Sequence, residues 1–378
     1  MSVYSSIHLS SGGQLTYRNG WLLDSLSIFN VEDCVSLAEA KQKPARWAYL
    51  SVDSEPEEVY GFELRARDLK DRLDLTGISL RSGGRAYDKL REDLGLDEDF
   101  DVWCAGLREA LKSKSQSEID RSMFAWREED PRHSLRIALQ YLPDDEWLFF
   151  EFEDAEEWLV DRGEISAQLE YAREGSPPVI VVTEGSSDAI ALKRATNITR
   201  PKIASYLRFL DFSVKAPGGA AHALNTFRGL ASAGVSNKVI LLLDNDSAGR
   251  DAVKKVSMED FPERFAILHY PALPIAESYP TKGPTGDVDM DVNGLAGSIE
   301  LYMGSDVLDL GHGLTPIQWT GFVRGVSAYQ GEVLNKDEIK TAFWLKCDAS
   351  ERAGHSGDGD WSGMSLILDH LVHQVSAM

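Results

Sequence analysis

Two short aliphatic runs, Val179-Ile-Val-Val-Thr183 and Val239-Ile-Leu-Leu-Leu243, each stop at carboxylates. Glu184 and Asp188 follow the first run, and Asp244 and Asp246 follow the second. No other feature constrains the fold as strongly. A strand that is apolar at every position must be covered on both faces, which is the situation of a strand inside a parallel sheet. Each run passes into a segment with helical spacing, 187–194 and 248–256. Gly218-Gly219 opens another helix through Ala221, Leu224, Phe227 and Leu230, while Phe212-Ser-Val214 and 265–270 read as two further strands. Strand and helix in alternation predict a parallel sheet with helices on both faces. Ligands in such sheets collect beyond the carboxyl ends of the strands, where these carboxylates stand.

The chemistry follows from the residue types. Asp188 lies four residues after Glu184, so the two can face one point across a helical turn. Asp244 and Asp246 are spaced i and i+2, which shares a face in extended backbone. If the two strands are neighbours, four carboxylates converge, and such a cluster stays ionised only beside a cation. Oxygen-only ligation suits Mg²⁺ or Mn²⁺. Such an ion activates water and stabilises a leaving oxygen in phosphodiester chemistry. The plainer alternative is that an acidic residue after a strand merely caps the next helix. Gly218-Gly219 likewise serves either as a phosphate-binding helix start or as a tight turn.

The pair Glu184-Gly185-Ser-Ser-Asp188-Ala and Asp244-Asn-Asp246-Ser-Ala-Gly249 resembles the two signature motifs of the Toprim domain. That domain is shared by topoisomerases, bacterial primases, and nucleases of the overcoming-lysogenization-defect and recombination-repair types. The resemblance covers about residues 177–272 closely and extends loosely to 303. It implies a Rossmann-like sheet and Mg²⁺-dependent cleavage, ligation or transfer of phosphodiesters. Glu184 would then be a general acid/base or metal ligand, Asp244 and Asp246 metal ligands, and Asp188 the extra carboxylate of the nuclease-like branch. Glu300 and Lys336 are candidates for that branch's later acidic ligand and basic residue, in competition with Asp291 and Lys282. The start of the chain, Met1-Ser-Val-Tyr-Ser-Ser-Ile with Asn19 and Ile28-Phe-Asn-Val-Glu-Asp33, resembles the N-terminal domain that accompanies HEPN and Toprim modules in bacteria. This likeness implies an effector in defence against phage or plasmids.

The rest of the chain divides around this core. Residues 3–17 alternate polar and apolar about Gly12-Gly13, as a β-hairpin does, and Trp21 to Leu23 supply core. Val59 to Leu64 predicts a strand. Helices are expected before Gly77, before Gly95, and over 99–113, 117–127 and 132–141. The expectation is a mostly helical α+β domain over 1–143 and an acidic strand–helix connector over 144–176, with Trp158 and Leu159 packed within it. A Toprim-like α/β domain over 177–303 and a small C-terminal extension over 304–378 complete it. Residues 271–296 read as a long loop, 353–363 as a flexible Gly/Ser/Asp linker, and 364–378 as an amphipathic helix. Arg127 and His133 have the spacing of a HEPN ribonuclease pair, but Pro131 between them interrupts a helix.

The formal net charge of −22 lies mostly in the first 175 residues and gives no general attraction for nucleic acid. The best local basic patch is Lys193-Arg194 with Arg200-Pro-Lys202, and Trp319, Tyr329 and Trp344 are candidates to stack on bases. Cys34, Cys104 and Cys347 form no metal or disulfide pattern, and neither a long apolar run nor a basic-apolar leader is visible. A cytoplasmic protein away from the membrane is expected. No GxxxxGK[ST] occurs, so a separate ATPase or sensor subunit, and an oligomer or hetero-complex, are the expected partners of a nucleic-acid-cutting chain. Primase- or topoisomerase-like transfer and a non-catalytic scaffold are the alternatives.

Overall fold

The computed structural model describes residues 4–18, 25–42, 59–124, 126, 130–151, 162–210, 218–283 and 286–378. The chain separates between Pro177 and Pro178 into two compact units.

The first unit is built on a five-stranded antiparallel sheet. Its strands are β1 (Tyr4–Leu9), β2 (Gln14–Arg18), β3 (Cys34–Ser36), β4 (Val59–Arg65) and β5 (Trp147–Glu151), in the order β2-β1-β5-β4-β3. Gly12 and Gly13, at φ +92° and +93°, make the turn between β1 and β2. A short helix α1 (Leu37–Lys41) is followed by α2 (Ala66–Leu75), α3 (Leu80–Leu94), α4 (Phe100–Ser113), α5 (Gln116–Phe124), α6 (Pro131–Leu139) and α7 (Arg162–Glu174). Two start and stop signals act as their chemistry predicts. Gly95 ends α3 in the left-handed region, and Asp130 caps α6 with Pro131 in its first turn. His133 therefore starts a new helix. Asn19, Trp21 to Leu23, Arg127, Trp158 and Leu159 lie outside the described residues, as does most of the acidic run from 152 to 161.

Residues 147–151 are more than a connector. Phe149 and Phe150 in β5 are buried, and β5 pairs with β1 on one side and β4 on the other. The core also holds two buried ion pairs. Arg136 grips Asp74 through Nε and Nη2 at 2.7 and 3.0 Å. Arg72, fully buried, pairs with Asp33 and donates from Nη1 to the Ile28 carbonyl at 3.0 Å.

The second unit begins with β6 (Val179–Val182) and α8 (Ser186–Thr199), followed by β7 (Leu207–Phe209), α9 (Ala220–Ser232) and β8 (Val239–Leu243). Next come the two-residue β9 (Asn245–Asp246), α10 (Ser247–Val253) and β10 (Phe265–His269). The strands β10-β8-β6-β7 form an all-parallel sheet, with Val182 opposite Leu241 and Leu243 opposite His269. Every residue of β8 is buried. The fold class is therefore the expected α/β core. Phe212 to Val214, expected as a strand, lie outside the described residues, and Leu207–Phe209 takes the outer position.

Beyond residue 270 the structure departs from expectation. The predicted long loop contains a hairpin, β11 (Tyr279–Gly283) with β12 (Gly286–Met290), which joins β14 (Ile317–Val323) and β15 (Ala328–Val333) in a second sheet, β12-β11-β14-β15. Between them β13 (Ala296–Gly297) pairs with β9, and a short helix α11 (Ser305–Leu308) follows. Helices α12 (Lys336–Ala353) and α13 (Ser362–Ala377) close the unit. The predicted flexible linker is tied down. Asp360 accepts from the backbone N–H and hydroxyl of both Ser305 and Ser362, and Lys346 donates to its carbonyl. Burial alone would raise the Asp360 carboxyl, but the bonds from Ser362 and Ser305 hold it well below its ordinary value.

Removing one partner of a buried pair leaves an uncompensated charge, which costs about 3–5 kcal/mol. Asp33→Ala is expected to destabilise the first unit by about that amount in a denaturant titration. Asp33→Leu with Arg72→Met, which removes both charges, is expected to recover most of the loss. Equal stability of Asp33→Ala and the wild type would show that the pair does not hold this core.

Candidate metal centre

Neighbouring strands place the acidic residues together. Because β6 and β8 are adjacent and parallel, both chains leave the sheet at the same edge. There the backbone N–H of Asp244 donates to Oε1 of Glu184 at 2.9 Å. Glu184 is held from its other side by the start of α9, where the Gly219 N–H donates to the Glu184 carbonyl at 2.8 Å and the Ala220 N–H reaches its carboxylate. Gly219, at φ +103°, supplies this turn, so the glycine pair acts as a tight bend that brings a helix start onto a carboxylate.

Asp188 sits buried in the first turn of α8, one turn after Glu184, and Ser187 Oγ donates to it at 3.1 Å. Asp246 caps α10: its Oδ1 accepts from the Gly249 N–H at 2.7 Å and its Oδ2 from Gln330 Nε2 at 2.7 Å. The capping alternative is therefore true of Asp246, and leaves each oxygen a further lone pair. Gly249 is sterically required. A β-carbon there would stand 2.9 Å from the Asp244 carbonyl and 3.3 Å from both Glu184 Oε1 and Asp246 Oδ1.

A fifth carboxylate arrives from beyond the parallel sheet. Pairing of β13 with β9 sets Ala296 opposite Asp246 and leads the chain to the buried Glu300. Ser298 Oγ donates to Glu300 at 2.6 Å, and Lys340 Nζ of α12 pairs with it at 3.1 Å. Lys336, one turn earlier on α12, instead pairs with Glu332 at 3.3 Å and reaches Glu300 only through space. Lys340 therefore stands where Lys336 was expected. Asp291 is exposed and turned onto Asn293, and Lys282 is exposed on β11 opposite Asp287. Neither reaches the cluster through any of these contacts. Also unforeseen, Tyr270 lies buried after β10, its hydroxyl held far from ionisation by burial and by the charges of Asp188 and Asp244.

The electrostatics are those of like charges crowded together. Burial, then Asp246 and Asp188, raise the Glu184 carboxyl to about 7. Burial, then Glu300, raise Asp188 to about 6. Asp244 is raised well above its ordinary range by burial and by Glu184, Asp188 and Asp246. Glu300 goes the other way. Burial would raise it, but Ser298 and Lys340, with Lys336 farther off, outweigh burial and lower it.

Among the described residues, no three His, Cys, Asp or Glu side chains form a ready-made ligating group. Each carboxylate of the cluster is turned onto a protein donor, with one exception: Oδ1 of Asp244 is shut off from solvent and has no hydrogen-bond partner. An orphaned acidic oxygen among other carboxylates fits a hard divalent cation, because oxygen-only donors suit Mg²⁺ and Mn²⁺.

Two of the four basic residues of the patch expected to bind nucleic acid are bound within the protein. Arg194 is bound to Glu351 and Asp348 of α12 at 2.6–2.8 Å, and Arg200 pairs with Asp369 of α13. Trp344 lies under Arg194.

A family model described as Toprim-like matches residues 181–272. Domains of that type are typically metal-dependent enzymes that process nucleic acids and generally bind Mg²⁺ through acidic residues. The match spans Glu184, Asp188, Asp244 and Asp246 and ends before Glu300 and Lys340. No curated protein and no solved structure matches the chain.

A carboxyl raised on folding penalises the folded state once it ionises. For Glu184 the penalty is absent below its ordinary value of 4.5 and complete above about 7. In chelator the second unit is therefore expected to lose stability as pH rises through that window. Asp244→Asn, which removes a buried like charge, is expected to raise Tm in chelator at pH 7.5 by several degrees, roughly 2–4 °C per kcal/mol. It is also expected to abolish the Tm gain that Mn²⁺ gives the wild type. An unchanged Mn²⁺ response in a thermal-shift titration would remove Asp244 from the metal centre.

Proposed function

We propose that this chain is a Mg²⁺- or Mn²⁺-dependent phosphodiesterase that cuts nucleic acid. The orphaned Oδ1 of Asp244 among four further carboxylates carries this reading. Glu184, Asp188, Asp244, Asp246 and Glu300 are the residues to hold the metal. When bound, the ion supplies Lewis acidity for a phosphate oxygen and a more acidic water. Glu184, whose carboxyl is raised to about 7, is in its ionised form the residue suited to take the proton of the attacking water. Lys340 orients Glu300 and places a positive charge where the scissile phosphate develops negative charge. Asp246, fixed by Gly249 and Gln330, keeps its ligand geometry without reorganising.

The biological setting is part of the same proposal. The likeness of residues 1–110 to the domain that accompanies HEPN and Toprim modules supports a cytoplasmic effector of prokaryotic defence against phage or plasmids. Of its HEPN-like pair, His133 lies in α6, which opens at Pro131, and in sequence Pro131 interrupts a helix that would carry both residues. The Toprim-type centre is therefore the proposed source of cutting. The chain carries no nucleotide-binding GxxxxGK[ST] motif, which supports a separate ATPase or sensor subunit and a hetero-complex or oligomer. No helix among the described residues is long and apolar enough to cross a membrane.

The test is cleavage of labelled single-stranded and duplex DNA and RNA in Mg²⁺ and Mn²⁺. Glu184→Gln and Asp246→Asn are expected to lower the rate by about 100-fold or more, as loss of an acid–base or electrostatic group does. Lys340→Met is expected to lower it at least about tenfold, and Lys336→Ala to leave it near wild type. Undiminished cleavage by Glu184→Gln and Asp246→Asn would refute the mechanism.

A further inference from the structure

The second sheet of the same unit carries an apolar face that is buried at one end and open at the other. Tyr279, Thr281, Ile317 and Val333 are buried at the closed end. Past them the face continues through Trp319, half-buried over Gly331, to Phe322 and Tyr329, which are 53% and 61% exposed. Phe322 stands directly opposite Tyr329 across β14 and β15, and a bulge between Trp319 and Gly321 keeps all three rings on one side. The Phe322 and Tyr329 rings meet edge to face at 5.2 Å, and Trp319 and Tyr329 at 6.3 Å. Exposed aromatic clusters of this kind mark binding sites, because burial of the rings would otherwise have stabilised the fold.

The position of the cluster selects its ligand. β15 is the edge strand, and its outer edge is joined to the metal centre. Ser247 Oγ donates to the Tyr329 carbonyl at 2.7 Å, Gln330 binds Asp246 and the Ala248 N–H, and the Gly331 N–H donates to the Leu295 carbonyl at 3.1 Å. The far turn is pinned to α10. Lys254 donates to the Gly325 carbonyl, and a β-carbon on Gly325 would stand 1.6 Å from the Asp251 carboxylate. The rings thus sit on a rigid ribbon whose residue 330 touches a metal-ligating carboxylate. In a strongly acidic chain, the exposed side chains around this ribbon include Arg250, Lys254 and Arg324, each able to meet phosphate.

We propose that Trp319, Phe322 and Tyr329 form a stacking platform for unpaired bases, which presents a single-stranded segment of nucleic acid to the neighbouring carboxylate cluster. The inference rests on the phosphodiesterase reading and adds its substrate form. Aromatic faces take any base at about 1–3 kcal/mol each, while duplex bases are already stacked and have no face to offer. The cations hold the backbone, and the rings hold the bases next to the metal.

The test is fluorescence anisotropy on the full chain with Ca²⁺ as the cation. The probes are a labelled single-stranded oligonucleotide in DNA and RNA forms, an abasic version, and the duplex. Stacking predicts that the abasic strand and the duplex bind at least about tenfold more weakly than the intact strand. It predicts a similar loss for Phe322→Leu with Tyr329→Leu, which keeps apolar bulk but removes the rings, and near wild-type binding for Tyr329→Trp. Both positions are exposed, and an unchanged Tm and Mn²⁺ response would show that the fold and metal centre are intact. Equal binding of intact and abasic strands would overturn the proposal. So would undiminished strand binding by the double variant, and if the wild type also self-associates, the face is a protein-docking surface. Failure of the metal centre reads out separately, as cleavage or a Mn²⁺ response that survives Asp244→Asn.

Discussion

Mutual repulsion among buried carboxylates is the constraint around which the second unit is arranged. Glu184, Asp188, Asp244 and Asp246 leave adjacent ends of one sheet, and Glu300 joins them from outside it. A set of like charges with this little access to water opposes folding. The fold must supply enough apolar burial elsewhere to hold them, and it does so directly beneath. All five residues of β8 are buried, and Val182, Leu224, Phe227 and Phe265 pack around them. The strand β8 that presents Asp244 and Asp246 is buried along its whole length, and a rigid element of this kind keeps a polar site in place.

The same constraint explains the polar ties at the edge. Four of the five carboxylates at the site are given a backbone or side-chain donor: Asp244 N–H for Glu184, Gly249 N–H and Gln330 for Asp246, Ser187 for Asp188, and Ser298 for Glu300. These donors fix the carboxylates in position without neutralising them. Among the described residues, only Lys340 brings a full positive charge into contact, at Glu300. The remaining charge is left for a ligand. The arginines of α8 serve a different purpose, since Arg194 and Arg200 fasten that helix to α12 and α13. Two of the four basic residues that looked like a nucleic-acid track are thus tied into the fold, and further exposed cations lie on α10 and beside the β14–β15 turn.

How far the sequence could be read depended on whether a residue's role was local. The parallel strands were legible because a strand buried on both faces is apolar at every position. The four carboxylates were legible because they directly follow such strands. The closing of α3 at Gly95 and the opening of α6 at Pro131 were legible as well, because those residues act through their own backbone. What failed was non-local. Lys336 and Lys340 lie one turn apart on the same helix, and only the packing of α12 decides which meets Glu300. The hairpin at 279–290 was hidden because its short Asp287-Val-Asp289-Met290 alternation lies among prolines and glycines, and every residue of β12 is exposed. Residues 353–363 have a linker's composition, yet Asp360 is fixed by serines 55 and 2 positions away. The strand of the predicted strand–helix connector was legible as a strand, but its pairing was not, because its partners in β4 lie more than 80 residues earlier.

The division between legible and hidden residues also separates two kinds of work. The Toprim-like match covers the parallel sheet and the four carboxylates at its edge that are proposed to hold metal. What shapes that chemistry comes later in the chain. Glu300 and Lys340 complete the cluster, and Gln330 orients Asp246. The aromatic ribbon enters through that last contact, since the residue that orients Asp246 is adjacent to Tyr329 in β15. In the proposed reaction, Gln330 would link a strand seated on the ribbon to the position of Asp246 Oδ2, so that recognition and metal geometry meet at one side-chain amide. Such a link would confine cutting to a strand that is already seated.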